Sequence, residues 1–354
     1  MDRRHFLAGT AAFGAASSIL PSRLAAQGKP LKIGIMNDLS GPYSGDQGLG
    51  SKIAADMAIS DWASKLGVQV ETIIADHQNK PDVGAGIARK WFDTEGVDVI
   101  MDLPNSAVAL AVLAVANEKN KAVVASGAGS SVMTGPMCSK NFVHWTYDTY
   151  VLGNSLGKTL TGEGAKSWFF VTADYAFGKD LEQNCANAVV AAGGKVLGAA
   201  RHPVNTADFS SFLLQAQASG ADVIGFANAG GDLVQSLKQA AEFGLKKQKL
   251  AALILDVTNL PSLGLAAVQN VTVCKGFYWD QNDGTRAFAN RYQAQHQQKA
   301  KPNDMHAGMY AATLHIMKAL AQTKSGADGL KLVDTMKAIP TDDPLFGKGS
   351  IRAD

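Results

Sequence analysis

The chain has 354 residues, of which 46% are hydrophobic and 18% charged; it can bury a large core and exceeds the usual size of one compact domain, so two lobes are expected. Its net charge of +2 is spread in short mixed groups, without the basic face that a phosphate backbone requires, and this argues against a nucleic-acid partner. The seven histidines have no ligand spacing, and neither HExxH nor paired CxxC occurs; no metal or other cofactor is expected.

The N-terminus, Asp2-Arg3-Arg4-His5-Phe6-Leu7, places twin arginines before an apolar run of small residues reaching Leu20. This predicts a twin-arginine export signal over 1–27, with Leu24-Ala25-Ala26 as the small-residue cleavage site. The run is too short and too rich in Gly and Ser for a spanning helix, and no later stretch reaches the roughly 18 consecutive apolar residues one needs. The mature chain is therefore expected as an exported monomer in the periplasm. Cys138, Cys185 and Cys274 form an odd set with no framework spacing, so at least one free, buried thiol is expected.

From Leu31 the pattern is regular. An apolar strand, Leu31 to Leu39, runs into the loop Ser40 to Asp46, and a helix follows with Ile53, Met57 and Trp62 near helical spacing, stopped at Gly67. The strand Val68 to Ala75 leads to a helix over 82–94. A third strand, Val97 to Leu103, empties into Pro104-Asn105-Ser106 and an alanine-rich helix over 106–119. Asn and Ser are strong helix caps, and a helix N-terminus also offers unpaired N–H groups and a positive dipole end to an anion. Both readings stand at that point. Then Lys121 to Ala125 runs into Ser126-Gly-Ala-Gly-Ser-Ser131.

The aromatic segment Phe142 to Tyr150 interrupts this rhythm, which restarts as helix 150–161, strand Ser167 to Thr172, loop Asp174 to Gly178 and helix 179–192. Strand Lys195 to Ala199, helix 207–219, strand Ala221 to Ala227, loop Asn228 to Asp232, helix 233–243 and strand Leu250 to Leu255 follow. A last strand is predicted over Val271 to Trp279, then helices over 285–298 and 306–322. Strands alternating with helices of this length predict an α/β fold of βαβ units with parallel sheets covered on both faces. In such sheets a ligand sits beyond the carboxyl ends of the strands. The loops there nominate Tyr43, Asp46, Asn105, Ser106, Gly127, Gly129, Ser130, Tyr175, Phe177 and Asn228, a cleft of hydroxyls, amides and aromatics with few cations.

Enzyme patterns fail on context. Gly153-Asn-Ser-Leu-Gly157 fits G-x-S-x-G, but the preceding segment reads as a crossover into a helix, not as a strand before a nucleophile. Gly157-Lys158-Thr159 lacks the first glycine of a P-loop, since residue 152 is Leu. Asp174, Asp232 and Asp256 fall at strand ends, where each can cap a helix or accept from a ligand. Asp256, if it faces the cleft, could take a ligand ammonium.

With Ile33-Gly34 leading to Leu39-Ser-Gly-Pro42, Asp174-Tyr-Ala-Phe-Gly178 before a helix, and Leu237-Lys-Gln-Ala-Ala241 after a Gly-Gly loop, the chain resembles the type I periplasmic binding proteins of branched-chain and hydrophobic amino acid ABC importers. Ala307-Gly-Met-Tyr-Ala311 and Phe346-Gly-Lys-Gly-Ser-Ile-Arg352 extend the resemblance over essentially everything from Leu31 onward. It implies two Rossmann-like lobes, residues 28–147 with 279–341 and residues 148–278 with 342–354, joined by crossovers near 144–150, 277–280 and 340–346. It further implies a ligand carboxylate at Asn105-Ser106 and Gly127 to Ser130, with Phe177 and Asp256 from the other lobe. Where amino-acid binders often carry Tyr this chain has Ala229 or Gly230, and Tyr43, Phe177, Met305 and His306 line the cleft. The resemblance thus extends to a subgroup for aromatic acids, with a membrane permease as partner. A sensor of the same fold and an exported hydrolase using Ser155 are the alternatives. The chain ends at Ile351-Arg-Ala-Asp354, short of the family's closing segment, so a truncated C-terminus with unpaired last strands is expected.

Overall fold

The computed structural model describes residues 29–354; the twin-arginine signal lies outside the described residues. The first unit comprises β1 (Leu31–Asn37), α1 (Gly48–Leu66), β2 (Val70–Asp76), α2 (Pro81–Lys90), β3 (Val99–Asp102), α3 (Ser106–Glu118), β4 (Ala122–Ala125) and β5 (Phe142–His144). A turn of π-helix, Trp91–Glu95, extends α2. The sheet is parallel throughout, in the order β2-β1-β3-β4-β5. Phe142 to His144 thus completes a sheet where the sequence suggests an interruption.

Side-chain alternation explains why this sheet is covered on both faces. Ile33, Ile35, Val99, Met101 and Val124 point into one core, while Met36, Ile100, Val123 and Ala125 point into the other. Helices α2 and α3 cover the second face. The first face takes α1 together with three helices from far along the chain, α10 (Asp283–Gln295), α11 (Asp304–Thr323) and α12 (Gly329–Ala338). Helix α12 carries its apolar residues Leu332, Val333 and Met336 in a stretch for which no element is anticipated from sequence.

The second unit repeats the plan with α4 (Thr149–Gly162), β6 (Ser167–Ala173), α5 (Ala176–Ala191), β7 (Lys195–His202), α6 (Ser210–Ala218), β8 (Val223–Ala227), α7 (Gly230–Glu242) and β9 (Lys249–Ala252). Short helices α8 (Leu260–Leu263) and α9 (Leu265–Val268) lead to β10 (Val271–Thr272). The strand order is β10-β9-β8-β6-β7. Trp168, Phe170 and Val223 pack against α4 and α5, and Phe169, Val171, Ile224 and Phe226 against α6 and α7. The strand predicted to run to Trp279 pairs only at Val271 and Thr272. Beyond them the chain is irregular and leaves for the first unit, where Phe277 is buried.

The chain closes with an antiparallel hairpin, β11 (Thr341–Asp343) and β12 (Gly347–Gly349), so these last strands pair with each other. Leu345 is buried and Ile351 half-buried against the core of the first unit, where the sequence reading assigns 342–354 to the second. Among the described residues no helix is long and apolar enough to cross a membrane.

Candidate functional site

The carboxyl ends of β1, β3 and β4 carry a buried polar knot. Asn37 Nδ2 donates to Asp102, and Ser126 Oγ donates to Asp102 Oδ1 at 3.1 Å. Burial pushes the Asp102 carboxyl up to about 7. Asp102 and Leu103 have φ of 83° and 61°, so the chain turns sharply as it leaves β3. Beside it Asp38 accepts from Gly41 N at 2.7 Å, Tyr43 N at 2.9 Å and Asn79 Nδ2 at 2.7 Å. These bonds shape the 38–47 loop and fix where Tyr43 stands.

The loop then meets the second unit. Tyr43 and Tyr175 join hydroxyls at 2.7 Å, and Gly231 N donates to Pro42 O at 3.0 Å. Asp46 Oδ1 accepts from Thr258 Oγ1 at 2.8 Å and Asn259 Nδ2 at 2.6 Å, and burial raises its carboxyl to about 6. At the start of α7, Gly230 has φ of 57°, and a Cβ there would stand 2.4 Å from Pro42 O. Only glycine lets the two backbones come this close.

Nearer the crossover, Asp180 on α5 accepts from Ser130 Oγ at 2.8 Å and Ser131 N at 2.7 Å, and also from Thr149 Oγ1 at the start of α4. Between these two sets of contacts lies an interlobe cavity of ≈20 Å³. A single water needs roughly 10–15 Å³. The conformation is therefore closed, and an organic ligand can be admitted only if the walls part.

The cavity is walled by Tyr43, Asp46, Gln47 and Met305 on one side and by Tyr175, Phe177, Ile254, Asp256 and Asn259 on the other, with Gly127 and Tyr147 between them. Gln47 Nε2 lies against Met305 Sδ, and Gln47 Oε1 is buried without a partner. A Cβ on Gly127 would strike the Gln47 amide at 2.4 Å. A recess of ≈550 Å³ at the crossover, between Trp145 to Val151 and the β11–β12 hairpin, contains none of the strand-end loops.

Of the residues nominated from sequence, Tyr43, Asp46, Gly127, Tyr175, Phe177, Asp256 and Met305 meet in this cavity. The others have different partners. Asn105 caps α3, its Oδ1 accepting from Ala107 N at 2.9 Å and Val108 N at 3.2 Å, so those helix amides are already satisfied. Ser106 is fully buried and its Oγ accepts from Ser130 N at 3.2 Å. Ser130 is held by Asp180, and Gly129 packs under Phe177 and Tyr147.

Asn228 reaches His202 and Ser236 inside the second unit. His306 belongs to the capping box of α11, in which its backbone N donates to Asn303 Oδ1 at 3.0 Å, while its ring meets Gln47 O at 3.2 Å. Burial lowers the His306 imidazole to about 4, so the ring is neutral at pH 7. Gln47, Tyr147, Ile254 and Asn259 are cavity residues that the sequence reading does not nominate.

Lys275 is the largest addition. Its Nζ lies 2.5 Å from Asp256 Oδ1 and 2.8 Å from Asp304 Oδ2, with both carboxylates buried. Burial acts to lower its ammonium, but the two carboxylates outweigh that and raise it above the usual lysine value. Asp256 thus has a cation of the protein's own, where the sequence reading leaves it for a ligand. Lys275 sits in the segment predicted as strand, so nothing in its local pattern marks it.

Ser155 lies inside α4, its Oγ bonded to Val151 O at 2.7 Å, and not at a strand-to-helix turn; this is not a nucleophile elbow. The cysteines are free, and Cys185 is buried. Among the described residues no cluster of His, Cys, Asp and Glu could hold a metal ion.

A family model described as periplasmic binding protein matches residues 30–354. A periplasmic binding protein from Burkholderia mallei is 42% identical with a TM-score of 0.87, covering 92% of this chain and 86% of that one. A branched chain amino acid ABC transporter periplasmic ligand-binding protein from Burkholderia xenovorans LB400 is 36% identical with a TM-score of 0.77, over 89% of this chain and 84% of that one. An ABC transporter solute binding protein from R. palustris, solved with 4-hydroxybenzoate, shares the fold with a TM-score of 0.84 at 24% identity, over 92% and 89%. These neighbours are solute-binding proteins with the same paired parallel five-stranded sheets, the type I periplasmic-binding fold. The chain belongs to the periplasmic binding protein family, of the type that serves branched-chain amino acid ABC transporters.

Proposed function

We propose that this chain is the exported solute-binding component of an ABC importer, carried out by the twin-arginine pathway. It closes as a clam shell on a small carboxylate with an apolar body and hands it to a membrane permease. The observation that carries the reading is the cavity, where Tyr43, Tyr147, Tyr175 and Phe177 converge from both units around a few polar groups. That composition suits a ring or a branched chain. Gln47 Oε1, an unpaired acceptor, offers a hydrogen bond to a donor such as a ring hydroxyl on the ligand's body. Membership of the family and the 4-hydroxybenzoate held by the R. palustris protein are consistent with this ligand class.

A thermal-shift screen tests it. Leucine, valine and phenylalanine are set beside benzoate, 4-hydroxybenzoate and 3-phenylpropanoate at concentrations up to about a hundred times an expected micromolar Kd. A ligand at that excess stabilises the native state by about 2.7 kcal/mol, a shift of several degrees. If none of these carboxylates raises the melting temperature of the mature protein, the reading fails.

A further inference from the structure

We infer that Lys275 makes this cleft a site for carboxylic acids that lack an α-amino group, because its ammonium, held between Asp256 and Asp304, already occupies the charge partner that a ligand ammonium would need. The inference rests on the small-carboxylate reading above and narrows it.

An α-amino acid brings a cation into a closed cavity, where it must meet an unpaired carboxylate. Asp46 and Asp256 are the two carboxylates in the cavity wall. Asp46 already takes Thr258 and Asn259 on one oxygen, and burial raises its carboxyl to about 6, so its charged form is costlier than an ordinary aspartate's. Asp256 is 3% exposed and is bonded to Lys275 at 2.5 Å. The second partner of Lys275, Asp304, starts α11 and comes from the far end of the chain. The lysine is thereby locked between elements of both units, and a ligand would have to displace a bonded ammonium to reach Asp256. A plain carboxylic acid makes no such demand.

Titration calorimetry on matched pairs tests this: phenylacetate against phenylglycine, 3-phenylpropanoate against phenylalanine, and 4-methylpentanoate against leucine. In the wild-type protein, each acid that binds should do so at least about thirtyfold more tightly than its amino counterpart, the scale on which an unmet polar group is rejected. In Lys275→Met, which keeps the length of the stem and removes the charge, that ratio should fall by about tenfold or more, because Asp256 is left to receive the ammonium. Lys275→Gln is a second, more polar variant with the same expectation, and circular dichroism establishes that each is folded. Equal or tighter binding of the amino acids by wild-type protein overturns the inference, as does an unchanged ratio in a folded variant. If no acid and no amino acid binds wild-type protein, the small-carboxylate reading itself fails and takes the inference with it.

Discussion

Asp102 combines a positive φ, complete burial and donors from Asn37 and Ser126. Asp tolerates the left-handed region better than most residues because its short polar side chain bonds locally. Its carboxyl is raised to about 7 by burial, and the sign of the consequence follows from proton counting. Below pH about 4 both folded and unfolded chains hold the proton; between about 4 and 7 only the folded chain does, so stability contributed by this group falls as pH rises through 7. Wild-type protein should therefore gain about 2 kcal/mol relative to Asp102→Asn on going from pH 8 to pH 5. Urea unfolding of both proteins at the two pH values measures this, and a difference that does not change with pH would show that the carboxyl is ionised throughout.

At the scale of the element, α3 shows how a helix start that looks ready for an anion can be engaged by the protein's own side chains. Asn105 consumes the amides of Ala107 and Val108, and Ser106 Oγ anchors the loop at Ser130. Ser106→Ala should cost about 1 kcal/mol of stability, leaving Ser130 N buried without its acceptor, while ligand affinity changes less than twofold. A tenfold loss of affinity in calorimetry would return Ser106 to the ligand. The βαβ rhythm is legible in the sequence because Ile33 and Ile35 alternate with Met36, and Val99 and Met101 with Ile100, into separate cores. Phe142 to His144 is not, since three residues ending in His are too short a run to announce a strand. The aromatic and acidic members of the site lie in strand-end loops, where their position points to the cleft. Lys275 does not, because its meaning arises only when Asp256 and Asp304 are folded around it.

For the whole molecule, the closed cleft depends on the two units touching at Tyr43–Tyr175, Pro42–Gly231 and Asp46–Asn259. Gly230→Ala adds, to the strain of an alanine at φ 57°, a Cβ 2.4 Å from Pro42 O in this closed conformation, so it should penalise closure on top of about 1 kcal/mol of folding stability. We expect a larger radius of gyration in small-angle scattering, ligand affinity reduced at least about tenfold, and a ligand-free melting temperature within about 4 °C of wild type. An unchanged scattering profile with full affinity would show that Pro42 moves aside at little cost. The Asp180 cluster has a different place in this motion. Thr149, one of its donors, starts α4 directly after the 145–148 link between the two sheets, so under the clam-shell closure proposed above these bonds would lie nearer the hinge than the contacts in the cavity wall. The Tyr43–Tyr175 pair sits in the cavity wall itself. On that reading the Asp180 bonds act as a fastening kept in both states, while the Tyr43–Tyr175 bond acts as a latch that must break for the cleft to open.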